Sequence, residues 1–138
     1  MLSTTIAVLL QSAVLSASPT MTYEQAYAES EKTGKPLVVL VGAEWCPGCR
    51  VMKNTSMPQV KQDGVFQEVS FTTVDTDTQG EIARQVTGGG AIPQLVLFQR
   101  DGAGWKTEKL VGAQNPATII KFLRKGVQAA VGRIANRE

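Results

Sequence analysis

Two cysteines carry most of the chemistry that this sequence can offer. Cys46 and Cys49 are the only thiols in the 138 residues, they are separated by two residues, and the chain has no histidine. A C-x-x-C pair can exchange disulfides, because one thiolate attacks a foreign disulfide and the second cysteine then displaces the partner. The lack of histidine excludes Ser-His-Asp and Cys-His catalysis. Two thiolates are also too few for a four-ligand zinc site within one chain.

The segments around this pair predict that Cys46 begins a helix. Residues 37–41 are a continuous apolar run, typical of a strand buried on both faces. We predict a helix from about Cys46 to Met57, ended by Pro58. With Cys46 as the N-cap residue, its sulfur would accept hydrogen bonds from the amides two and three residues further on. The same helix start would stabilise a thiolate through the helix dipole.

The rest of the chain alternates helices and strands. Thr22 and Gln25 form a capping box for a first helix, which Gly34 and Pro36 stop. Strands are predicted at residues 69–74, 94–99 and 105–111, a helix at 78–86, and a last helix after the N-cap Asn115 with the apolar stripe Ile119, Ile120, Leu123, Val127 and Val131. The alternation predicts parallel strands with crossover helices, and the late hairpin adds an antiparallel edge. The fold class is therefore α/β.

Three sequence features resemble the thioredoxin fold. They are Ala43-Glu44-Trp45-Cys46-Pro47-Gly48-Cys49 after an apolar strand, Ala91-Ile92-Pro93 before a strand, and Val111-Gly112-Ala113-Gln114 before the final helix. They span roughly residues 22–131. The run Lys35-Pro36-Leu37 and its continuation also resemble the thioredoxin-like domains of exported bacterial disulfide reductases. The resemblance implies a thioredoxin-like protein-disulfide oxidoreductase with a central mixed four-stranded sheet and helices on both faces.

The resemblance also implies roles for individual residues. Cys46 would be the nucleophile and Cys49 the resolving thiol. Pro93 would be a cis-proline that faces the dithiol, and the backbone of Ile92 would pair with an extended substrate segment. Trp45 would flank the site.

The sequence departs from the family pattern in two respects: two buried charged residues are missing, and the two residues between the cysteines stand in reverse order. Leu40 stands where the family commonly has a buried acid, and Phe71 lies near the position of a buried lysine, so we expect slower exchange than in a cytosolic thioredoxin. Glu44 could assist through water but is expected to face solvent. Pro47 precedes Gly48, the reverse of the usual order, so position 48 keeps an amide donor. We therefore expect a lower Cys46 pKa than in thioredoxin and a reduction potential above thioredoxin's, about −270 mV.

The first 20 residues differ from the remainder of the chain. The first charged side chain is Glu24, and an apolar run at residues 6–15 is followed by Ser16-Ala17-Ser18. This pattern predicts a secretory signal peptide, although its start has no Lys or Arg, and the alternative is an N-terminal helix packed on the domain. We assign residues 1–20 to this segment and 21–138 to the thioredoxin-like domain. Export to a periplasmic compartment is expected, with the cytoplasm as the alternative.

The expected partners are protein thiols or disulfides, with a membrane thiol carrier as an electron donor by resemblance. The net charge of +2 does not favour a nucleic-acid partner. We expect a monomer without metal, nucleotide or flavin, because the dithiol is itself the redox centre. The direction of exchange stays open. The alternatives are an inert structural disulfide and a thioredoxin-fold module that binds partners or senses redox state without efficient turnover.

Three other features are interpreted as structural. Gly88-Gly89-Gly90 lacks the lysine and helix of a phosphate loop and is expected to approach Pro93 flexibly. Asp75 and Asp77 are spaced like metal ligands, but a loop with a helix cap is the favoured interpretation. Tyr23 and Trp105 are expected to be packing residues.

Overall fold

The structure is a computed structural model, and it describes residues 20–136. The predicted signal segment at residues 6–15 and its cleavage site therefore lie outside the described residues. None of the helices within 20–136 is long and apolar enough to cross a bilayer.

Four strands and five α-helices make up this part of the chain. The strands are β1 (Leu37–Gly42), β2 (Ser70–Asp75), β3 (Gln94–Asp101) and β4 (Gly104–Val111). The helices are α1 (Tyr23–Thr33), α2 (Pro47–Val51), α3 (Met57–Asp63), α4 (Gly80–Thr87) and α5 (Pro116–Ala135), with a π-helical turn at Met52–Ser56 and a 3-10 turn at Val65–Glu68. The predicted α/β class and the predicted elements are confirmed, with shifts at their ends.

Local sequence signals account for the helix boundaries that were predicted best. The Thr22 side chain accepts the Gln25 amide and the Gln25 side chain accepts the Thr22 amide, so the capping box of α1 is present. Gly34 closes that helix in the left-handed conformation. At the other end of the chain, Asn115 caps α5 by accepting the Thr118 amide, with Pro116 as the first helical residue.

The sheet has the order β2-β1-β3-β4. β1 is parallel to β2, whereas β3 is antiparallel to both β1 and β4. The prediction of parallel strands is therefore wrong for β3. The connection that contains α4 returns to the end of the sheet at which β2 stops, with Asp75 opposite Gly42 and Gln94 opposite Val41, so β3 runs in the reverse direction.

Helices cover both faces of the sheet, as predicted. One face places Val38, Leu40, Leu95 and Leu97 against α3 and α5, and the other places Leu37, Val39, Val41 and Val96 against α1 and α4. Both sides of β1 are buried, which explains why its sequence is continuously apolar instead of alternating.

The helix that follows the cysteines does not end at Pro58. It continues through the π-helical turn into α3 and stops at Gly64. The Met57 amide donates to the carbonyl of Met52, five residues back, so the hydrogen-bond pattern shifts directly before the proline. Such a shift accommodates a residue that has no amide hydrogen, and the prediction of a helix end at Pro58 is wrong.

Most residues of the predicted apolar stripe on α5 are buried against the sheet. Ile119, Leu123 and Val127 are buried, and Ile120 packs against the same cluster. Val131 is 61% exposed, so its assignment to the buried stripe is wrong. Gly126 packs closely on β3, where an added Cβ atom would lie 2.5 Å from Leu97, and Arg133 still donates to Gln99 and to the Arg100 carbonyl.

The aromatic residues interpreted as packing residues lie on the α1 face. The Tyr23 and Tyr27 rings are 6.4 Å apart, and Tyr27 lies 5.8 Å from the ring of Trp105. The Arg100 guanidinium lies over the Trp105 ring, with its central carbon 4.3 Å from the ring centroid. Burial raises the pKa of Tyr23, and the neighbouring Tyr27 and Glu24 act in the same direction.

Substituting two glycines of α5 separates the effect of close packing from that of helix propensity. A Cβ atom at Gly126 would lie 2.5 Å from a Leu97 methyl carbon, so Gly126→Ala should destabilise the fold by about 1–3 kcal/mol. A Cβ atom at Gly132 would meet nothing within 4 Å, so Gly132→Ala should stabilise it by about 0.5–1 kcal/mol. Urea unfolding measures both changes. Equal effects of the two substitutions would contradict this packing.

Candidate functional site

The two cysteines lie at the beginning of α2, where β1 delivers the chain. Cys46 is the N-cap residue, and its sulfur accepts the Cys49 amide at 3.3 Å. The two residues are joined by a disulfide, with Cα atoms 5.2 Å apart. The predicted N-cap geometry is confirmed for the Cys49 donor, while the amide of Gly48 makes no hydrogen bond to this sulfur among the described residues. Pro47 occupies the first helical position, where no amide donor is needed.

The disulfide is almost completely covered, with Cys46 and Cys49 only 6% and 7% exposed. Trp45 beside them is 64% exposed, which is unusual for a side chain of that size. An exposed indole next to the disulfide offers an apolar contact to another polypeptide.

The loop before β3 forms the opposite side of the site. The peptide bond between Ile92 and Pro93 is cis, and the carbonyl oxygen of Ile92 lies 3.8 Å from the Cys46 sulfur. Pro93 is buried, and its carbonyl accepts the Gly112 amide at 2.8 Å. The predicted proximity of Ile92 and Pro93 to the dithiol is therefore present.

Two glycines allow the close contacts at this site. A Cβ atom at Gly48 would lie 3.2 Å from a ring carbon of Pro93. A Cβ atom at Gly42 would lie 2.9 Å from the Cys49 sulfur. The sequence marks Gly42 only as the end of an apolar run, and its contact with Cys49 becomes visible only in the fold.

The glycine run before Ile92 is required by its backbone conformation. Gly88, Gly89 and Gly90 all have positive φ angles, of 69°, 90° and 97°. Only glycine adopts such angles readily. The Gln94 side chain donates to the carbonyls of Gly89 and Ala91 at 3.1 and 2.9 Å, which ties this approach to the start of β3.

The aspartates after β2 organise a loop and orient the tryptophan. The Asp75 carboxylate accepts hydrogen bonds from the amides of Asp77 and Thr78 at 2.7 and 3.2 Å, in agreement with the loop interpretation. The predicted helix cap is wrong, because the N-cap residue of α4 is Gln79 and no side chain of the described residues caps that helix. The Asp77 carboxylate accepts the indole N–H of Trp45 at 3.0 Å. Sequence reasoning missed this pair, because the two residues are 32 positions apart and no local pattern connects them.

The loop between β4 and α5 closes the site next to Gly48. Ala113 faces Gly48, and the following residue, Gln114, is held by the helix beyond the cysteines. The Ser56 hydroxyl donates to the Gln114 carbonyl at 2.7 Å, and the Gln114 amide donates to the Met52 sulfur at 3.2 Å. The π-helical turn thus anchors this loop, a role that the sequence did not indicate.

Glu44 lies at the rim of the site and faces solvent, as expected. Its side chain is 74% exposed, and its carboxylate accepts a hydrogen bond from the Lys53 ammonium at 2.6 Å. Leu40 is buried and lines a cavity beside Cys49. The side chain at this position is therefore apolar and cannot exchange a proton with Cys49.

The comparisons with known proteins agree with this geometry. A sequence model of the Thioredoxin-like domain family matches residues 23–126. The chain is 30% identical to thioredoxin H2-1 of Oryza sativa over 75% of this chain and 70% of that protein, and 26% identical to an H-type thioredoxin of Fagopyrum esculentum over 72% and 80%. It also matches a bifunctional thioredoxin reductase/thioredoxin of Mycobacterium leprae, with 28% identity over 70% of this chain, but spans only 20% of that protein.

Solved structures show the same fold. A thioredoxin of Thermus thermophilus superposes with a TM-score of 0.65 at 22% identity, covering 75% of this chain and 82% of that one. A thioredoxin of Trichomonas vaginalis gives a TM-score of 0.59 at 25% identity, covering 77% and 92%. The chain belongs to the thioredoxin-like domain family, and its fold and cysteine pair are those of a thioredoxin-like protein-disulfide oxidoreductase.

The contact between Gly42 and Cys49 predicts a redox effect of Gly42→Ala. The disulfide fixes the Cys49 sulfur, whereas a free thiol can rotate away from the added methyl group. The substitution should therefore destabilise the oxidised protein more than the reduced protein, by about 1–3 kcal/mol. Each 1.4 kcal/mol of difference raises the reduction potential by about 30 mV.

Equilibration with a glutathione buffer measures this shift. Gly80→Ala is the matched control, since a Cβ atom at Gly80 meets nothing within 4 Å. An unchanged or lower potential in Gly42→Ala would show that the added methyl group does not press on the disulfide.

Proposed function

We propose that the protein exchanges its Cys46–Cys49 disulfide with the cysteines of protein substrates through a mixed disulfide. Cys46 acts as the nucleophile and Cys49 as the resolving thiol. The dithiol is the redox centre, and the exchange requires no bound cofactor. The direction of electron flow depends on the potential of the partner that meets the site.

The position of the Cys46 sulfur is the observation that supports this proposal most strongly. The sulfur caps the first turn of α2 and accepts the Cys49 amide. An amide donor at a helix start stabilises a thiolate more than a thiol, because it interacts with the negative charge. Cys46 is therefore the cysteine whose reduced form the fold favours as an anion.

The second cysteine is placed to complete the exchange. The Cys49 sulfur lies in the first turn of the same helix, within bonding distance of Cys46, and is packed against Gly42. A partner bound to Cys46 is released when the Cys49 thiolate attacks the Cys46 sulfur. The Cys46–Cys49 disulfide forms again, and the partner leaves as a thiolate.

The substrate groove is proposed to lie along Ile92 and Pro93. The Ile92 carbonyl faces the Cys46 sulfur, so an extended segment that pairs with the Ile92 backbone would bring its own cysteine close to Cys46. Trp45 flanks this groove on one side, where its hydrogen bond to Asp77 orients the indole. Gly48 keeps the space above Pro93 free of a side chain.

The partners and the location follow as further proposals. Protein thiols and disulfides are the proposed substrates, a membrane thiol carrier is the proposed electron donor, and the working form is a monomer. Export is proposed from the uncharged head and its Ser16-Ala17-Ser18 run, with the cytoplasm as the alternative. The first residue of the mature protein distinguishes the two locations.

A binding or redox-sensing module is the second candidate function. The apolar Leu40 side chain beside Cys49 favours it, because no proton acceptor lies at that position and release of the partner is consequently slow. In such a module the groove at Pro93 would hold a partner without turnover.

Substitution of each cysteine tests the proposed exchange. Cys46→Ser should abolish reduction of a protein disulfide, because no nucleophile remains. Cys49→Ser should form a mixed disulfide that accumulates, because nothing releases the partner. A turnover assay with a dithiol donor measures the first effect, and non-reducing electrophoresis with mass spectrometry measures the second.

The double serine variant separates the two candidate functions. Exchange predicts that this variant forms no covalent complex with the substrate, since neither cysteine is present. If no thiol donor supports turnover by the wild-type protein, and the double variant binds the partner as well as the wild type does, the binding module is the correct function.

A further inference from the structure

The proposed exchange reaction assigns no role to a cavity beside Cys49. It has a volume of about 80 Å³, room enough for water, opens to solvent, and lies beside Cys49 at the ends of β1 and β2. Its inner wall is apolar and includes Leu40, Gly42 and Val74. Its outer wall carries the charged residues Glu44, Arg50, Lys53 and Asp75. The cavity thus joins a buried sulfur to a charged rim.

The resolving step makes demands on Cys49 that this environment must meet. Cys49 attacks only as a thiolate, and it is 93% buried among apolar groups, which disfavour a charged sulfur. Unlike Cys46, it does not occupy the N-cap position of α2. A positive charge close to the cavity would therefore favour the ionised form of Cys49.

Lys53 lines the same cavity as Cys49. It follows Cys49 by four residues along a continuous helical segment, so the two side chains project from the same side. The Glu44 carboxylate holds its ammonium at 2.6 Å, at the mouth of the cavity. Arg50, the other cation on this wall, is directed toward the Glu44 backbone carbonyl at 3.5 Å.

The two carboxylates that line the cavity have different partners. Glu44 is paired with Lys53, as described above. One oxygen of the Asp75 carboxylate accepts the amides of Asp77 and Thr78, which partly offsets its charge. Among the described residues, the lining of the cavity therefore carries two cations and two anions, and Lys53 is the cation four residues after Cys49 along the helical segment.

We propose that Lys53 is a positioning residue for the resolving step: it lowers the pKa of Cys49 through the water-accessible cavity and so speeds release of the partner. This inference rests on the proposed exchange function. The Cys49 thiol passes its proton to water in the cavity, and the thiolate attacks the Cys46 sulfur. The bond between Cys46 and the partner breaks, two electrons pass to the partner, and it departs as a thiolate.

The reaction of the reduced protein with dithionitrobenzoate resolves the two cysteines in time. Attack by Cys46 releases one coloured thiolate and leaves a mixed disulfide, and attack by Cys49 then releases the second. The pH midpoint of the first phase reports Cys46, and that of the second phase reports Cys49. If the wild-type protein gives no first phase, the exchange function fails; the inference about Lys53 is tested by the second phase alone.

Lys53→Met should raise the pH midpoint of the second phase by roughly half a unit and leave the first phase nearly unchanged. Lys53→Glu should raise it about twice as far, because the charge is reversed. Lys53→Arg should keep the wild-type midpoint. High salt should reduce the shifts, because the ammonium is exposed to solvent.

Lys61→Met is the matched control. It removes the same charge from the same helical segment, and Lys61 lies in the last turn of α3 and does not line the cavity. A second-phase midpoint that is unchanged in Lys53→Met, or that shifts equally in Lys61→Met, would overturn the proposal. A shift that also occurs in Lys53→Arg would show that side-chain packing, not charge, controls the step.

Discussion

The hydrogen bond from the Cys49 amide to the Cys46 sulfur is the interaction on which the site depends. A helix start leaves amide donors without partners, and each of these needs an acceptor. In α2 the acceptor is a cysteine sulfur, where most helices use an oxygen. The same bond caps the helix and orients the Cys46 sulfur, so in the proposed exchange the stability of α2 and the reactivity of Cys46 have a common origin.

The rest of the fold brings a second polypeptide surface to this sulfur. Because β3 is antiparallel to β1, the start of β3 lies at the end of the sheet where α2 begins. This arrangement places Ile92 and Pro93 opposite the cysteines. Gly42 and Gly48 make the contacts possible, since a methyl group at either position would meet Cys49 or Pro93. Backbone packing thus determines the geometry of the site as much as the cysteines do.

Features determined by neighbouring residues were predictable from the sequence. The capping box of Thr22, the buried strand before the cysteines and the N-cap role of Cys46 all follow from local patterns. The resemblance to thioredoxin-fold proteins added Ile92 and Pro93, which no local pattern connects to the cysteines. Interpreting the aspartates as loop residues was also correct for Asp75.

Features that depend on distant contacts were not predictable. The direction of β3 depends on the end of the sheet to which the connection through α4 returns, and alternation of helices and strands alone suggests the opposite direction. A proline ends or kinks most helices. Here a π-helical turn directly before Pro58 lets the helix continue. The bond between Trp45 and Asp77 joins residues that only the folded chain brings together.

The ionisation of Cys46 in the Cys49→Ser variant is the most direct test of this account, since Cys46 is then the only thiol. The rate of alkylation is measured against pH for the folded variant and for the same variant unfolded in urea. The account predicts that the folded protein reaches its half-maximal rate at a clearly lower pH, because α2 stabilises the thiolate. A half-maximal rate at the same pH or a higher one in the folded protein would contradict it.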